Sequence, residues 1–187
     1  MAPPQPPNVL RGIVRIARGR PDGLEQFAGR IQGFLASLAP LLAFPLVGTL
    51  LLLLNGGGAL AIADLFATVA VVLAPPVLSW EFARLWHREG HWLRFATAFN
   101  WCQWLLPALA SLLLLSAGAL LDAGMPQHTA TGLVVFGLAG YGLWLHWFLA
   151  RHGLALSRLR AALLVAGVNL GTAALVLGPR LLALQRA

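Results

Sequence analysis

Five long apolar runs alternate with short polar segments along this chain. About 20 consecutive apolar residues suffice for a helix that crosses a bilayer, and each run approaches or exceeds that length. The pattern therefore predicts an all-α membrane protein, in which a bundle of five transmembrane helices forms one membrane domain over residues 33–187. The predicted spans cover about residues 33–54, 59–80, 95–121, 131–150 and 161–178.

A different pattern precedes the first run. Residues 1–8 are rich in proline, and we expect them to form a disordered tail. Residues 9–32 are an amphipathic segment in which Val9, Ile13 and Ile16 share one helix face and arginines occupy another. Such a segment suits the headgroup layer of an anionic bilayer, so we predict an N-terminal interfacial helix. The alternative is a cytoplasmic helix that packs on the protein's own loops.

The arginines are divided unequally among the polar segments. Alternate segments, counted from the N-terminus, hold eleven of the 13 basic residues, and the others hold two. The positive-inside rule therefore places the N-terminus in the cytoplasm and the C-terminus outside. The use of arginine without lysine is typical of a GC-rich bacterial genome, so we expect a multi-pass protein of the bacterial cytoplasmic (inner) membrane. The larger set is Arg11, Arg15, Arg18, Arg20, Arg30, Arg84, Arg88, Arg94, Arg151, Arg158 and Arg160; the smaller is Arg180 and Arg186.

The composition favours lipid as the main solvent and argues against a nucleic-acid partner. Hydrophobic residues make up 59% of the chain and charged residues 10%, whereas a soluble domain carries about a quarter charged residues. The net charge of +7 would suggest nucleic acid in a soluble protein, but here the arginines flank and orient the apolar runs. The expected partners are an anionic bilayer and a membrane or cytoplasmic protein.

All seven tryptophans fall at or near the cytoplasmic ends of the predicted spans. Tryptophan normally marks both membrane interfaces, so this one-sided distribution has two interpretations. One is an anchor in the inner leaflet, and the other is a surface for a protein partner, since Trp and Arg are enriched in binding hot spots. The residues are Trp80, Trp86, Trp92, Trp101, Trp104, Trp144 and Trp147.

A few polar side chains lie within the predicted spans. Asn100 and Gln103 share one helix face with Pro107, which cannot donate to the Gln103 carbonyl and should leave that acceptor free. His146 lies at a similar depth, and with Asn169 these side chains are candidates to line a small polar pocket. The alternative is that they stabilise the bundle through hydrogen bonds between helices.

Prolines occur inside three of the five predicted spans. Each removes one helical hydrogen bond and favours a kink. Broken helices line substrate sites in transporters, but prolines are also frequent in ordinary membrane helices. The residues are Pro40, Pro45, Pro75, Pro76 and Pro107.

Two further groups of residues predict contacts between helices. Asp64 and Arg180 lie near the outer ends of their spans, and we predict an ion pair; hydration of Asp64 and snorkelling of Arg180 to lipid phosphate are the alternatives. Small residues recur along the last span and favour close helix packing, within the bundle or in a homodimer through Gly167 and Gly171. This stripe is Gly167, Gly171, Ala174 and Gly178.

The sequence contains no pattern that predicts catalysis. His87 and His91 have metalloprotease spacing, but Arg88 stands where the zinc motif requires a glutamate. We therefore predict no catalytic residue, no metal and no cofactor, and we do not expect an enzyme.

Parts of the sequence resemble bacterial members of the Yip family of five-span membrane proteins. The resemblance rests on Gly33-Phe34-Leu35, on Leu41-Leu42-Ala43-Phe44-Pro45-Leu46, and on the stretch from Arg94-Phe95 to Asn100-Trp101, within residues 25–180. It implies five spans, a cytoplasmic N-terminus and a non-enzymatic membrane adaptor or organiser. The Asp-Leu-Tyr-Gly-Pro-like signature of eukaryotic members is absent before the first span, so a Rab-type GTPase partner is not implied.

Two functional hypotheses follow from the sequence. The first is a membrane adaptor or organiser with a Trp/Arg-rich cytoplasmic face, and the alternative is a small transporter or channel subunit with a polar site at Asn100, Gln103 and His146. A continuous polar path from that site through Asn169 to Asp64 would favour transport. A dry bundle with a flat cytoplasmic face would favour the adaptor.

Overall fold

The computed structural model describes residues 8–184, apart from the side chains of residue 60 and of residues 179–184. Every regular element in this range is helical. The elements are α1 (Val9–Ala17), a 3-10 turn (Pro21–Gln26), α2 (Ile31–Leu54), α3 (Gly58–Leu85), α4 (Glu89–Cys102), α5 (Leu105–Asp122), α6 (Gln127–Gly153) and α7 (Arg158–Leu184). The predicted tail, residues 1–8, lies outside the described residues except for Asn8.

Five helical segments are long and apolar enough to cross a membrane. They are α2, α3, α4 together with α5, α6 and α7, and the predicted all-α fold, with five helical segments able to span a membrane, is thus confirmed for the described residues. Several helices continue beyond the predicted spans at the arginine-bearing end. Helix α3, for example, extends to Leu85, because Glu81 and Arg84 form an i,i+3 ion pair of 3.2 Å that is compatible with a solvated helix.

The third span is broken just before Pro107, in the span where the sequence predicted a kink. Helix α4 ends at Cys102 and α5 begins at Leu105. Pro107 cannot donate to the Gln103 carbonyl, and the Leu106 N–H donates to that carbonyl instead, at 3.1 Å. The prediction that the Gln103 carbonyl is left free is therefore wrong, because a tighter 3-10 bond satisfies it.

The hydrophobic core lies at the arginine-bearing end of the bundle. Phe95, Leu149 and Leu154 are among its fully buried members, and they bring together α4, α6 and the segment after α6. At the opposite end the helices expose large apolar side chains, such as Leu115 and Phe136. A soluble protein does not expose so many large apolar side chains, so this end is suited to lipid.

The N-terminal segment packs against this core. Asn8 caps α1 by accepting a hydrogen bond from the Arg11 N–H at 3.0 Å. Ile16 is fully buried, and Val9 and Ile13 pack beside it against the core. The predicted apolar stripe therefore contacts the protein itself, as in the alternative interpretation, whereas Leu10 remains exposed. The location of α1 in the headgroup layer stays a prediction.

The small residues of α7 approach α3 closely. A Cβ atom placed on Gly167 would lie 2.5 Å from Cζ of Phe82, and one on Gly171 would lie 2.8 Å from Cδ1 of Leu78. These two glycines thus serve a contact within the chain, while Ala174 is exposed and Gly178 has open space beside it. A homodimer through Gly167 and Gly171 stays a prediction, and it would require these residues to leave α3.

Candidate functional site

A cavity of about 270 Å³ lies at mid-height of the bundle. It lies near the middle of α2, α3 and α7 and beside the break between α4 and α5. Five helices contribute to its wall, so closing or opening it involves the whole bundle. The lining residues are Leu41, Val71, Val72, Pro75, Phe99, Asn100, Gln103, His146, Val168, Asn169 and Thr172.

All four polar residues predicted from the sequence line this cavity. Gln103 Nε2 and His146 Nε2 lie 3.4 Å apart, which links α4 to α6. Asn100 is buried, and its Nδ2 donates to Ser37 Oγ at 3.0 Å, which links α4 to α2. The structure therefore gives these side chains both predicted roles, because they hold helices together and also border a cavity.

The fourth predicted residue, Asn169, lies on the side of the cavity formed by α7. Its Nδ2 donates to the Val165 carbonyl of its own helix at 2.8 Å, and the residue is exposed. Since Asn100 is buried and Asn169 is exposed, the cavity extends from the surface of α7 into the core.

Thr172 also lines the cavity and was not predicted. Its hydroxyl oxygen is buried and has no hydrogen-bond partner within the described part of the chain. Asn169 and Thr172 are three residues apart and thus share a helix face. This spacing is the signal that the sequence carries, but it does not show which face of α7 points into the bundle.

Prolines in α3 remove helical hydrogen bonds at residues that line the cavity. Val71 and Val72 line it, and they precede Pro75 and Pro76 by four residues. Because proline has no N–H, neither carbonyl receives its α-helical hydrogen bond. The Val72 carbonyl also lacks a donor three residues on, since Pro75 stands there. The carbonyl of Leu41, another lining residue, likewise lacks its α-helical donor, because Pro45 lies four residues on.

Asp64, one member of the predicted Asp64–Arg180 pair, is not among the residues that line this cavity. Asp64 is exposed and does not line it, and the described residues contain no ion pair of Asp64. The side chain of Arg180 lies outside the described residues. The polar path that sequence analysis proposed thus joins His146, Asn100 and Asn169 but does not extend to Asp64.

The tryptophans are partly buried and pack against the chain's own aromatic side chains. Trp92 contacts Phe34 and Trp80, with ring centroids 5.2 and 5.0 Å apart, and it donates from Nε1 to Ser79 Oγ at 3.1 Å. Arginines lie over two of the other rings: Arg151 over Trp147 at 5.2 Å and Arg160 over Trp86 at 5.9 Å. All seven tryptophans are intermediate in exposure, so much of their surface is already in contact with the protein.

The cavity wall is mainly apolar and carries a few polar side chains. Its polar groups are three amides, one imidazole and one hydroxyl, with no carboxylate and no arginine among the lining residues. Within the described residues no three His, Cys, Asp or Glu side chains are close enough to bind a metal ion together. The wall can therefore hydrogen-bond a small molecule, and it has His146 as its one titratable side chain.

Comparison of the chain with protein-family models, with curated proteins and with solved structures finds no match. The resemblance to Yip proteins is neither supported nor contradicted by these comparisons.

Proposed function

We propose that this chain is a small transporter or channel subunit that binds a solute in the mid-height cavity. Its five apolar helices are consistent with an integral membrane protein. The observation that carries the proposal is that Asn100, Gln103, His146 and Asn169, from three separate helices, border one cavity. Interhelical hydrogen bonding alone does not require them to share an open space.

The position of the cavity also supports this proposal. Transporter sites commonly lie near the bilayer midplane, beside discontinuous helices. Here the break between α4 and α5 and the proline pair of α3 both lie at the cavity, at the middle of the bundle. Irregular backbone at membrane depth is tolerated where it borders protein or a polar space.

The first test fills the cavity. Val72→Phe adds bulk on the cavity wall, whereas Val135→Phe makes the same change on an exposed face of α6. In proteoliposomes, we expect Val72→Phe to abolish most of the protein-dependent flux of a panel of solutes (glycerol, urea, potassium and chloride), and Val135→Phe to retain it. No protein-dependent flux for any of the four would overturn the proposal.

A second candidate function is the membrane adaptor or organiser that the Yip resemblance implies. It is favoured by the exposed or half-buried arginines beside the packed core, which include Arg84, Arg88, Arg158 and Arg160. Replacing these four with glutamine should lower the yield of a specific cross-linked partner in native membranes while leaving solute flux unchanged. An unchanged cross-linking pattern would count against the adaptor. Neither candidate function requires catalysis.

The proposed orientation in the bacterial inner membrane has the N-terminus in the cytoplasm. Reporter fusions at Gly57, at Met125 and after Ala187 should report an outside location, because those segments belong to the set that contains few arginines. Fusions at Glu89 and Gly153 should report the cytoplasm. A cytoplasmic location for the C-terminal fusion would contradict the alternation of five spans.

A further inference from the structure

Two of the three amides that border the cavity, those of Asn100 and Asn169, direct a donor away from it to another group of the protein. Asn169 Nδ2 donates to the Val165 carbonyl, which can only accept. Asn100 Nδ2 donates to Ser37 Oγ, and the Ser37 hydroxyl in turn donates to the Phe34 carbonyl at 2.6 Å. Both assignments of nitrogen and oxygen are therefore fixed by their partners. The side-chain oxygens of Asn100 and Asn169 remain available as acceptors.

Some residues of the same wall have backbone carbonyls that lack their helical donors. The Val72 carbonyl receives no helical hydrogen bond from three or four residues on, because both positions are proline. The Val71 carbonyl also lacks its helical donor, because that donor would be the N–H of residue 75, which is a proline. Val71 and Pro75 both line the cavity. A carbonyl without a donor in a membrane interior is costly unless another group supplies the hydrogen bond.

Thr172 is a separate indication that a hydrogen-bonding group of this wall lacks a partner within the described part of the protein. Its hydroxyl oxygen is buried yet has no partner among the described residues. Most buried polar side-chain atoms in proteins do have a partner. Thr172 is itself one of the residues that line the cavity, so a molecule bound there would be the nearest available partner for this hydroxyl.

The electrostatics and size of the cavity restrict the molecule further. No carboxylate or arginine lines it, so a charged solute would lie at mid-height without an opposing charge, at a substantial cost. A volume of about 270 Å³ is near the lower end of ligand pockets, roughly 300–1,000 Å³.

From these observations we infer that the cavity binds a small uncharged solute rich in N–H or O–H donors, of the urea or polyol class. The Val72 carbonyl, freed by Pro75 and Pro76, and the Thr172 hydroxyl are then part of its hydrogen-bonding wall. This inference rests on the proposed function, and it adds the class of substrate and two groups that recognise it.

The experiment removes each group without filling the cavity. Pro76 does not itself line the cavity, and Pro76→Ala restores the donor to the Val72 carbonyl. The matched control is Pro40→Ala, which restores a donor to Ala36, a residue away from the cavity. Thr172→Val removes the hydroxyl at nearly constant volume, and Thr172→Ser retains it.

Flux of glycerol and urea is measured by the swelling of proteoliposomes, and potassium and chloride flux with ion-sensitive dyes in the same vesicles. We expect glycerol or urea to pass faster than either ion. Pro76→Ala and Thr172→Val should each lower that flux by about five-fold, the equivalent of one hydrogen bond of about 1 kcal/mol. Pro40→Ala should pass the uncharged solutes at the unchanged rate, and Thr172→Ser, which keeps the hydroxyl, should retain more of that flux than Thr172→Val.

Thermal unfolding in detergent separates recognition from misfolding. Both Pro76→Ala and Pro40→Ala should retain or raise the unfolding midpoint, since each restores a helical bond. Ion flux equal to or faster than that of the uncharged solutes would overturn the inferred class while leaving a transport function. Unchanged glycerol and urea flux in both Pro76→Ala and Thr172→Val would overturn the two recognition groups. Absence of flux for all four probes would remove the proposed function and this inference together.

Discussion

Replacing Ile16 with aspartate is expected to detach the N-terminal segment from the bundle and to lower thermal stability strongly. Ile16 is 0% exposed within the core that also contains Phe95 and Leu149. A carboxylate there would be buried without a partner, which costs about 3 kcal/mol or more. Protonation of the new side chain lowers that cost only in part, because a polar group remains buried, and departure of α1 from its site removes the apolar contacts of Ile16 and its neighbours.

The matched control is Leu10→Asp on the same helix. Leu10 is 75% exposed, so we expect its replacement to change the unfolding midpoint little in detergent. Limited trypsin digestion should cleave the arginines of α1 much faster in Ile16→Asp than in the control, because docking shields that helix. Equal digestion and equal midpoints in the two variants would show that α1 does not pack against the bundle.

The same pair of variants addresses the predicted interfacial location of α1. If the exposed side of the helix lies in the headgroup layer, Leu10→Asp should weaken the protection of α1 in anionic vesicles but not in neutral detergent. High salt should have a similar effect in vesicles, because exposed arginine–headgroup attraction is screened. Loss of protection in neither condition would favour the cytoplasmic alternative.

The five spans could be predicted because a long apolar run is compatible with few structures other than a helix that crosses a membrane. The ends of the helices could not be predicted, because the change from apolar to polar residues indicates where the membrane ends and not where the helix ends. Helix α3 continues past Trp80 because Glu81 and Arg84 are good helix formers and pair at i,i+3. The break near Gln103 followed from Pro107, but the 3-10 bond that satisfies the Gln103 carbonyl depends on local backbone adjustment.

The polar residues of the candidate site could be located only in part. Asn100 and Gln103 were recognised as one helix face, and depth along the spans placed His146 beside them. Which face of α7 points inward depends on its packing against α3, and the approach of Gly167 to Phe82 fixes that rotation. Thr172 could not be assigned to the cavity before this packing was known.

The tryptophans and the polar residues together change the balance between the two functional hypotheses. The sequence favoured an adaptor because tryptophan and arginine cluster at one end of the chain. In the structure the tryptophans pack against the chain's own side chains, as Trp144 does against Phe148 at 5.4 Å. Part of the surface expected to bind a partner is thereby occupied, whereas the predicted polar residues border an open cavity. We therefore propose transport in preference to the adaptor function.

Replacing Gly167 with alanine is expected to destabilise the bundle, although alanine is the better helix former. The added Cβ would lie 2.5 Å from Phe82 Cζ, so the ring or α7 must move. Overpacking of this kind typically costs about 1–3 kcal/mol. Gly132→Ala is the matched control in α6, because a Cβ there has no neighbour within 4 Å. It should raise stability by about 0.5–1 kcal/mol, the usual gain from replacing a helical glycine.

A double variant identifies the contact responsible. Phe82→Leu removes the ring atoms that the new Cβ would meet, so Gly167→Ala should cost less in that background than in the natural chain. We expect a coupling above about 0.5 kcal/mol in the free energies of unfolding, measured for all four proteins in the same detergent. Additive losses would mean that Phe82 does not limit the approach of α7. A gain in stability from Gly167→Ala, equal to that of Gly132→Ala, would mean that α3 and α7 do not pack closely through this glycine.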